Sequence, residues 1–183
     1  MANNNVRKLT RASMLLVFAL IIIFIGARTG GALFNQIVVG PLVNAVIITA
    51  VLITDMKFGV LVAFMTPILA AITGQFTIIP FMPFIMLGNI TFALIFGLFN
   101  KYVKTYGKYI GIAVGALLKT GVLFISVSYL VTLFNIPIKP PVLKVLSAAM
   151  SYPQLYSAIA GGAIALIFYS IFLRNYERSN LNR

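Results

Sequence analysis

Residues 37–73 read IVVGPLVNAVIITAVLITDMKFGVLVAFMTPILAAIT, which is two apolar runs separated by a short polar turn. Each run approaches the ~20 apolar residues that an α-helix needs to cross a bilayer. The turn at 54–59 contains Asp55 and Lys57, for which we expect a structural role at the water interface. The stretch therefore predicts two antiparallel membrane helices joined by a very tight turn.

The same pattern extends along the whole chain. Of its 183 residues, 61% are hydrophobic and 9% are charged, whereas an average soluble domain has about 25% charged residues. This composition excludes an ordinary water-soluble globule. Six spans are predicted, at about 11–27, 37–55, 57–73, 82–99, 109–134 and 154–173. The sequence thus predicts an all-α membrane protein, a six-helix transmembrane bundle forming a single integral membrane domain over residues 1–183.

The basic residues predict the orientation of this bundle. The net charge of +12 would suggest a nucleic-acid partner in a soluble protein, but here the charges lie between apolar runs, so no nucleic acid is expected. With the N-terminus inside, the inside set is Arg7, Lys8, Arg11, Lys57, Lys101, Lys104, Lys108, Arg174, Arg178 and Arg183, and the outside set is Arg28, Lys139 and Lys144. The positive-inside rule then predicts that both termini are cytoplasmic.

The polar inventory excludes most catalytic chemistry. The chain has no His and no Cys, and its two acids are Asp55 and Glu177. Zinc, haem and iron–sulfur sites, a Ser–His–Asp triad and a cysteine nucleophile are therefore not expected. No phosphate-binding loop of the G-x-x-x-x-G-K-[ST] type occurs. We expect no enzyme activity, no catalytic residues, no metal and no cofactor.

Lys119 is the residue that points most directly to a function. It lies about ten residues into the fifth span, or ~15 Å from the cytoplasmic end, close to the membrane midplane. A cation at that depth costs roughly 2.5–3.5 kcal/mol even on the permissive insertion scale, and neither acid is placed to pair with it. We expect Lys119 to face the bundle interior, where it meets an anionic ligand, a carbonyl or water. The alternative is that it caps backbone carbonyls freed by a kink or extends toward the membrane interface.

Further candidate binding residues lie on the outer halves of the spans. Asn89 in the fourth span meets either a ligand or another helix, and Asn44 in the second is expected to bond another helix. Ser126 and Tyr129 are predicted to continue a polar stripe outward from Lys119. The external ends supply Arg28, Gln75, Tyr152 and Gln154 as further candidates, together with Asn35, Gln36 and Tyr156. The predicted pocket opens outward and is lined by spans four to six.

Glycine and proline positions carry two further predictions. Small residues repeat every four positions at Gly107, Gly111 and Gly115, and again at Ser157, Gly161 and Ala165. Such ridges let helices approach closely in lipid, either within the bundle or at a docking face for another membrane protein. The loop with Pro137, Pro140 and Pro141 is predicted to be an extended external segment.

Several short motifs resemble those of one membrane protein family. The stretches 39–44 (VGPLVN), 66–70 (TPILA), 73–75 (TGQ) and 83–89 (PFIMLGN) are similar to the substrate-binding S-components of energy-coupling factor (ECF) vitamin transporters. The motif resemblance covers roughly residues 37–100, and the length, six spans and cytoplasmic termini agree with it elsewhere.

The resemblance implies a high-affinity capture subunit in a prokaryotic cytoplasmic membrane. It implies that a vitamin-like ligand is bound from outside and that a transmembrane coupling subunit joins the chain to two ATPase subunits, with membrane lipid around it. Family members often dock through an Ala-x-x-x-Ala patch on span one. The present sequence departs from that pattern, and its nearest equivalent is formed by Ala12, Ser13 and Leu16.

Two questions remain open from the sequence. The ligand is expected to carry an anionic group, as pantothenate, lipoate, niacin and biotin do. The reason is that Lys119 has no carboxylate partner and the outer loops are basic. The alternative is a neutral vitamin such as riboflavin or a pyrimidine precursor. The alternative function is that of an autonomous carrier or channel for a small anion. Proton coupling usually needs a membrane-embedded acid or His, and the sequence places none in its spans.

Overall fold

The computed structural model describes residues 4–75, 81–130 and 139–181, and in these ranges the chain is helical with no β-strand. The helices are α1 (Asn4–Thr29), α2 (Gly40–Ile53), α3 (Met56–Ile72), α4 (Met82–Tyr102), α5 (Gly107–Ile125), α6 (Pro140–Ala149) and α7 (Tyr152–Leu181). A turn of helix at Ala32–Phe34 and a π-helical segment at Asn35–Val39 lead directly into α2, and a second π-helical segment, Ser126–Leu130, extends α5.

Five helical stretches of the described ranges are long and apolar enough to cross a membrane. They are Asn4–Thr29, Ala32–Ile53, Met82–Tyr102, Gly107–Ile125 and Leu143–Phe172. The sixth apolar helix is α3, which has 17 residues and is about 25 Å long. The all-helical architecture predicted from the sequence is therefore confirmed.

The helices begin earlier or end later than the apolar runs do. Helix α1 starts at Asn4 rather than near residue 11, and α4 continues to Tyr102 rather than ending near residue 99. Polar residues extend a helix beyond its apolar stretch without breaking it, so the apolar run gives only the apolar part of the helix. The predicted fifth span reaches residue 134, and its last four residues lie outside the described ranges.

The segment after the fifth span is the clearest correction to the sequence prediction. Pro140 and Pro141 begin helix α6 instead of forming the predicted extended external segment. Proline suits the first turn of a helix because its fixed φ is helical and its missing N–H has no partner there anyway. Pro137, which belongs to the same prediction, lies outside the described residues.

One end of the bundle, here called the basic end, gathers the N-terminal part of α1 and the α2–α3 and α4–α5 turns. Lys8 forms an ion pair with Asp55 at 3.0 Å, and Arg11 donates to the carbonyl of Ile53 at 3.1 Å. Lys108 lies over the ring of Tyr169, 4.4 Å from its centroid, which brings the C-terminal half of α7 to the same end.

Asp55 has the structural role expected for the α2–α3 turn. Its Oδ1 accepts from the backbone N–H groups of Lys57 and Phe58 and caps the N-terminus of α3. Burial raises its pKa, but the hydrogen bond from Lys8 and those from the two N–H groups outweigh burial, so the pKa of Asp55 is lowered overall.

Both ridges of small residues pack inside the bundle. A Cβ on Gly107, Gly111 or Gly115 would lie within 3.1 Å of atoms of α4, and one on Gly161 would lie 2.5 Å from the carbonyl oxygen of Pro41. These contacts confirm internal packing rather than a docking face as the role of the ridges.

Helix α1 lies at one side of the bundle against α2 and α3. Of the three residues predicted to dock a partner, Ala12 is buried in the core, Leu16 packs against the core, and Ser13 is exposed. Ala12 therefore contributes no surface to a partner in this conformation, because its side chain faces the other helices.

Candidate functional site

A cavity of about 280 Å³ lies in the half of the bundle away from the basic end. Its lining comes from all six long helices and from the segments at that end, so the predicted restriction to spans four to six is too narrow. The polar residues of the lining are Asn35, Gln36, Asn44, Thr66, Gln75, Asn89, Lys119, Gln154 and Ser157.

Lys119 occupies the deep part of this cavity. Its side chain is 3% exposed, and its Nζ donates to Asn44 Oδ1 at 2.6 Å and to Asn89 Oδ1 at 2.8 Å. Such short distances are typical of hydrogen bonds from a charged donor. The ring of Phe92 lies 5.6 Å from Nζ and adds a cation–π contact.

Asn44 connects Lys119 to helix α7. Because an ammonium group only donates, the amide oxygen of Asn44 faces Lys119 and its nitrogen faces away. Asn44 Nδ2 donates to Ser157 Oγ at 2.9 Å. Gly161 allows this hydrogen bond to form because, one turn further along α7, its missing side chain lets the backbones of α7 and α2 approach closely.

Asn89 connects Lys119 to helix α3 in the same way. Asn89 Nδ2 donates to Thr66 Oγ1 at 3.3 Å, and Thr66 Oγ1 donates to the carbonyl of Ala63 at 3.1 Å. That carbonyl is four residues before Pro67, whose missing N–H leaves it without its usual helical donor. The carbonyl that Pro67 leaves free thus accepts from the hydroxyl that orients Asn89.

The resulting polar chain runs Ser157–Asn44–Lys119–Asn89–Thr66 and joins five helices. Every buried side-chain nitrogen and oxygen in the described residues has a hydrogen-bond partner. Each side-chain nitrogen and oxygen of the polar chain therefore has at least one partner, and such connected networks favour a unique arrangement of the helices.

The charge of Lys119 is not balanced by a carboxylate. Asp55 lies eleven residues after Asn44, ~16 Å further along that part of the chain, and is paired with Lys8. Glu177 lies twenty residues after Ser157, ~30 Å along α7. An ammonium has three N–H groups, and within the described part of the chain two of them have acceptors. Lys119 therefore has one N–H group without an acceptor among the described residues.

The side of the cavity away from Lys119 is lined by a second pair of amides. Gln75 Nε2 donates to Asn35 Oδ1 at 3.0 Å, which ties the end of α3 to the π-helical segment before α2. Gly26 of α1 makes room for this pair, since a Cβ there would lie 2.6 Å from Asn35 Oδ1. Asn35 is nine residues from Asn44, so the two polar sets are separated by ~13 Å.

Four of the eight binding residues predicted from the sequence line the cavity. Lys119 and Asn89 lie at its deep side, and Gln75 and Gln154 line it elsewhere. The other four predicted residues are not among the described residues that line the cavity; they are Ser126, Tyr129, Arg28 and Tyr152. Arg28 lies over Phe24 at 4.8 Å, and Tyr152 is 83% exposed.

The predicted polar stripe from Lys119 through Ser126 to Tyr129 does not form. Ser126 Oγ turns back to donate to the carbonyl of Val122 at 2.6 Å, and Tyr129 is 67% exposed. The π-helical segment Ser126–Leu130 has a wider turn than an α-helix, so it rotates Tyr129 away from the face that holds Lys119.

Two residues of the polar chain are not among the candidates drawn from the sequence. Thr66 and Ser157 look like packing residues because small hydroxyl side chains are common on helix interfaces. The sequence indicates them only indirectly. A lysine in a membrane span without an acid to pair with needs several neutral acceptors, and those acceptors need hydrogen-bond partners of their own. Asn44 bonds another helix, as the sequence predicts, and it also accepts a hydrogen bond from Lys119.

The site offers no metal ligands of the usual kind. No group of three or more His, Cys, Asp or Glu residues occurs in ranges 4–75, 81–130 and 139–181. The polar atoms around the cavity are amides, hydroxyls and one ammonium, which suit hydrogen bonding to an organic ligand.

No family model matches the chain, and no curated protein or solved structure matches it either. The resemblance to ECF S-components therefore rests on the sequence motifs.

Proposed function

We propose that this chain captures a small organic anion of the vitamin class from outside the cell and holds it in the cavity at Lys119. The observation that carries the proposal is a buried ammonium with neutral acceptors, no carboxylate and one remaining donor, on the wall of a cavity of about 280 Å³. A ligand carboxylate or phosphate supplies the missing negative charge.

The surroundings of the cavity support an anionic ligand. Arg28, Lys139 and Lys144 are exposed on the segments at the cavity end. Basic groups near a binding site raise the local concentration of an anion. Pantothenate, lipoate, niacin and biotin are the first ligands to test, and riboflavin or a pyrimidine precursor represents the neutral alternative, in which Lys119 donates to a carbonyl.

We further propose that the chain is the S-component of an ECF-type importer. In this proposal six helices span a prokaryotic cytoplasmic membrane with both termini inside, and a coupling subunit with two ATPases supplies the energy. The lack of a phosphate-binding loop in the sequence is consistent with a binding role and with ATP hydrolysis by partner subunits.

The ligand is identified by a thermal-shift screen of the purified chain in detergent. An anionic vitamin is expected to raise the melting temperature, whereas cationic thiamine is not. Lys119→Met is expected to weaken binding by about 10- to 150-fold, the equivalent of losing a hydrogen bond to a charged group. Lys119→Arg is not expected to restore it, because a planar guanidinium does not replace a compact ammonium. Stabilisation by thiamine alone, or unchanged affinity in Lys119→Met, would contradict the anion proposal.

The partner subunits are tested separately. Affinity purification of the tagged chain from its native membrane is expected to recover two ATPases and a second membrane subunit. Uptake of the identified vitamin by liposomes that contain the chain alone would instead favour an autonomous carrier. That result would leave the ligand and its site intact.

A further inference from the structure

A second cavity, unrelated to the polar chain, opens on the outside of the bundle between α1, α2 and α7. It has a volume of about 310 Å³ and is lined almost entirely by apolar side chains, among them Phe18, Ile53, Phe168 and Phe172. Three of these aromatic rings are about half exposed, Phe18 at 52%, Phe168 at 59% and Phe172 at 47%. The α1–α2–α7 groove therefore faces the surroundings of the bundle.

The groove has the depth of one membrane leaflet. It runs along α2 from Leu42 to Ile53, eleven residues or ~16 Å. Half of a hydrocarbon core ~30 Å thick is about 15 Å. Its Ile53 end lies at the basic end of the bundle, so the groove extends from that surface to the middle of the membrane.

Two basic side chains contact residues that line the groove at this end. Arg11 donates to the carbonyl of Ile53 at 3.1 Å, and Lys108 lies over the ring of Tyr169 at 4.4 Å from the centroid. Of the two acids in the chain, Asp55 is paired with Lys8, and Glu177 lies on α7 five residues beyond the last residue that lines the groove, Phe172. A guanidinium has five N–H groups, so Arg11 has donors left for a further acceptor.

We propose that the α1–α2–α7 groove binds one anionic phospholipid. One acyl chain lies in the groove, and the phosphate lies between Arg11 and Lys108. The groove is apolar, is as long as one leaflet is thick and ends at two cations, which matches a lipid with an anionic head group. Neither the groove nor the two cations are needed for the ligand at Lys119. This proposal is independent of the proposed transport function.

The proposal is tested by native mass spectrometry of the purified full chain in detergent, titrated with palmitoyl-oleoyl phosphatidylglycerol or with phosphatidylcholine of the same acyl chains. One phosphatidylglycerol is expected to bind more tightly than phosphatidylcholine. The double variant R11Q/K108Q is expected to lower the phosphatidylglycerol affinity about 30-fold, the effect of two basic groups near an anionic surface. Glutamine at position 11 keeps an N–H for the Ile53 carbonyl while it removes the charge.

The control is K101Q/K104Q, which removes two charges from the same end of the bundle without touching the groove. It is expected to leave the phosphatidylglycerol affinity unchanged. Thr49→Phe, which fills the groove, is expected to weaken both lipids.

Four outcomes would overturn the proposal. The first is equal affinity for the two lipids, and the second is an equal loss in the control variant. The third is binding of glycerol 3-phosphate as tightly as phosphatidylglycerol, which would indicate a phosphate site without a lipid chain. The fourth is a dimer that Thr49→Phe converts to a monomer, which would assign the groove to a second copy of the chain.

Discussion

At the scale of single residues, the feature that distinguishes this chain is a lysine held in the buried core of the helix bundle by neutral groups. Two amide oxygens and an aromatic face lower the cost of burying the ammonium of Lys119. None of them cancels its charge. Lys119 therefore lies at the wall of a cavity without a carboxylate partner among the described residues, and the proposed anionic ligand would supply that negative charge.

The coupling within the polar chain gives a prediction about stability. Asn44→Leu is expected to lower the free energy of unfolding by roughly 2–3 kcal/mol, because it leaves a buried charged donor short of an acceptor. The same substitution in a Lys119→Met background is expected to cost less, since that donor is then gone. Equilibrium unfolding of the four proteins in mixed micelles measures both costs, and equal costs in the two backgrounds would contradict the described contact.

Sequence reasoning finds the important residues at this scale but not their partners. Lys119 and Asn89 stand out because charged and amide side chains are rare in membrane spans. That Lys119 meets Asn44 depends on how α2 and α5 are rotated against each other, and no local pattern contains that information. Ser126 shows the same limit, since its hydroxyl is used by the carbonyl of its own helix.

At the scale of helices, the approach of α7 to α2 decides whether the polar chain forms. Gly161→Ala places a Cβ 2.5 Å from the Pro41 carbonyl oxygen, so the two helices must move apart and Ser157 is drawn away from Asn44. We expect a lower melting temperature and weaker ligand binding. Gly121→Ala is the matched control, because a Cβ there meets no atom within 4 Å, and it is expected to be neutral or slightly stabilising. Similar losses in both variants would contradict the packing described.

The α2–α3 turn gives a prediction about pH. The pKa of Asp55 is lowered in the folded protein, so its contribution to stability is present above its unfolded pKa of about 3.9. That contribution is lost as the pH falls through the lower, folded value. The melting temperature of the wild type is expected to fall more steeply below about pH 4 than that of Asp55→Asn, which keeps a capping side chain but loses the charge. Parallel pH profiles of the two proteins would contradict this role.

Helix positions follow well from the sequence, and helix ends follow less well. The apolar runs locate the long helices because only a helix satisfies its backbone within a bilayer. The sequence predicts an extended segment at α6 because proline usually breaks helices, whereas Pro140 and Pro141 occupy the first turn of this helix. The π-helical segments at Asn35–Val39 and Ser126–Leu130 leave no sequence signature that a hydrophobic pattern detects.

At the scale of the whole molecule, the two ends of the bundle differ in chemistry. The basic end carries the ion pair of Lys8 with Asp55, and the cavity with its amide-rich lining lies in the opposite half. In the proposed orientation the basic end is cytoplasmic and the cavity opens outward.

This orientation is tested with single cysteines, which need no background removal because the chain has none. Cysteines at Asn4 and Asn180 are both expected to resist membrane-impermeant thiol reagents in intact cells and to react after permeabilisation. A cysteine at exposed Tyr152 is the positive control. Labelling of positions 4 and 180 from outside would reverse the orientation and place the cavity on the cytoplasmic side.

The central claim is that an uncompensated positive charge at Lys119 selects an anionic ligand, and a single added carboxylate tests it most directly. Asn89→Asp supplies the missing charge beside Nζ, and Asn100→Asp adds the same charge to α4 near the basic end as a control. Equilibrium titration with the anionic vitamin that stabilises the wild type most is expected to show at least a tenfold loss of affinity, ~1.4 kcal/mol or more, in Asn89→Asp. The Asn100→Asp variant is expected to bind as the wild type does. Undiminished anion binding by Asn89→Asp would contradict the account.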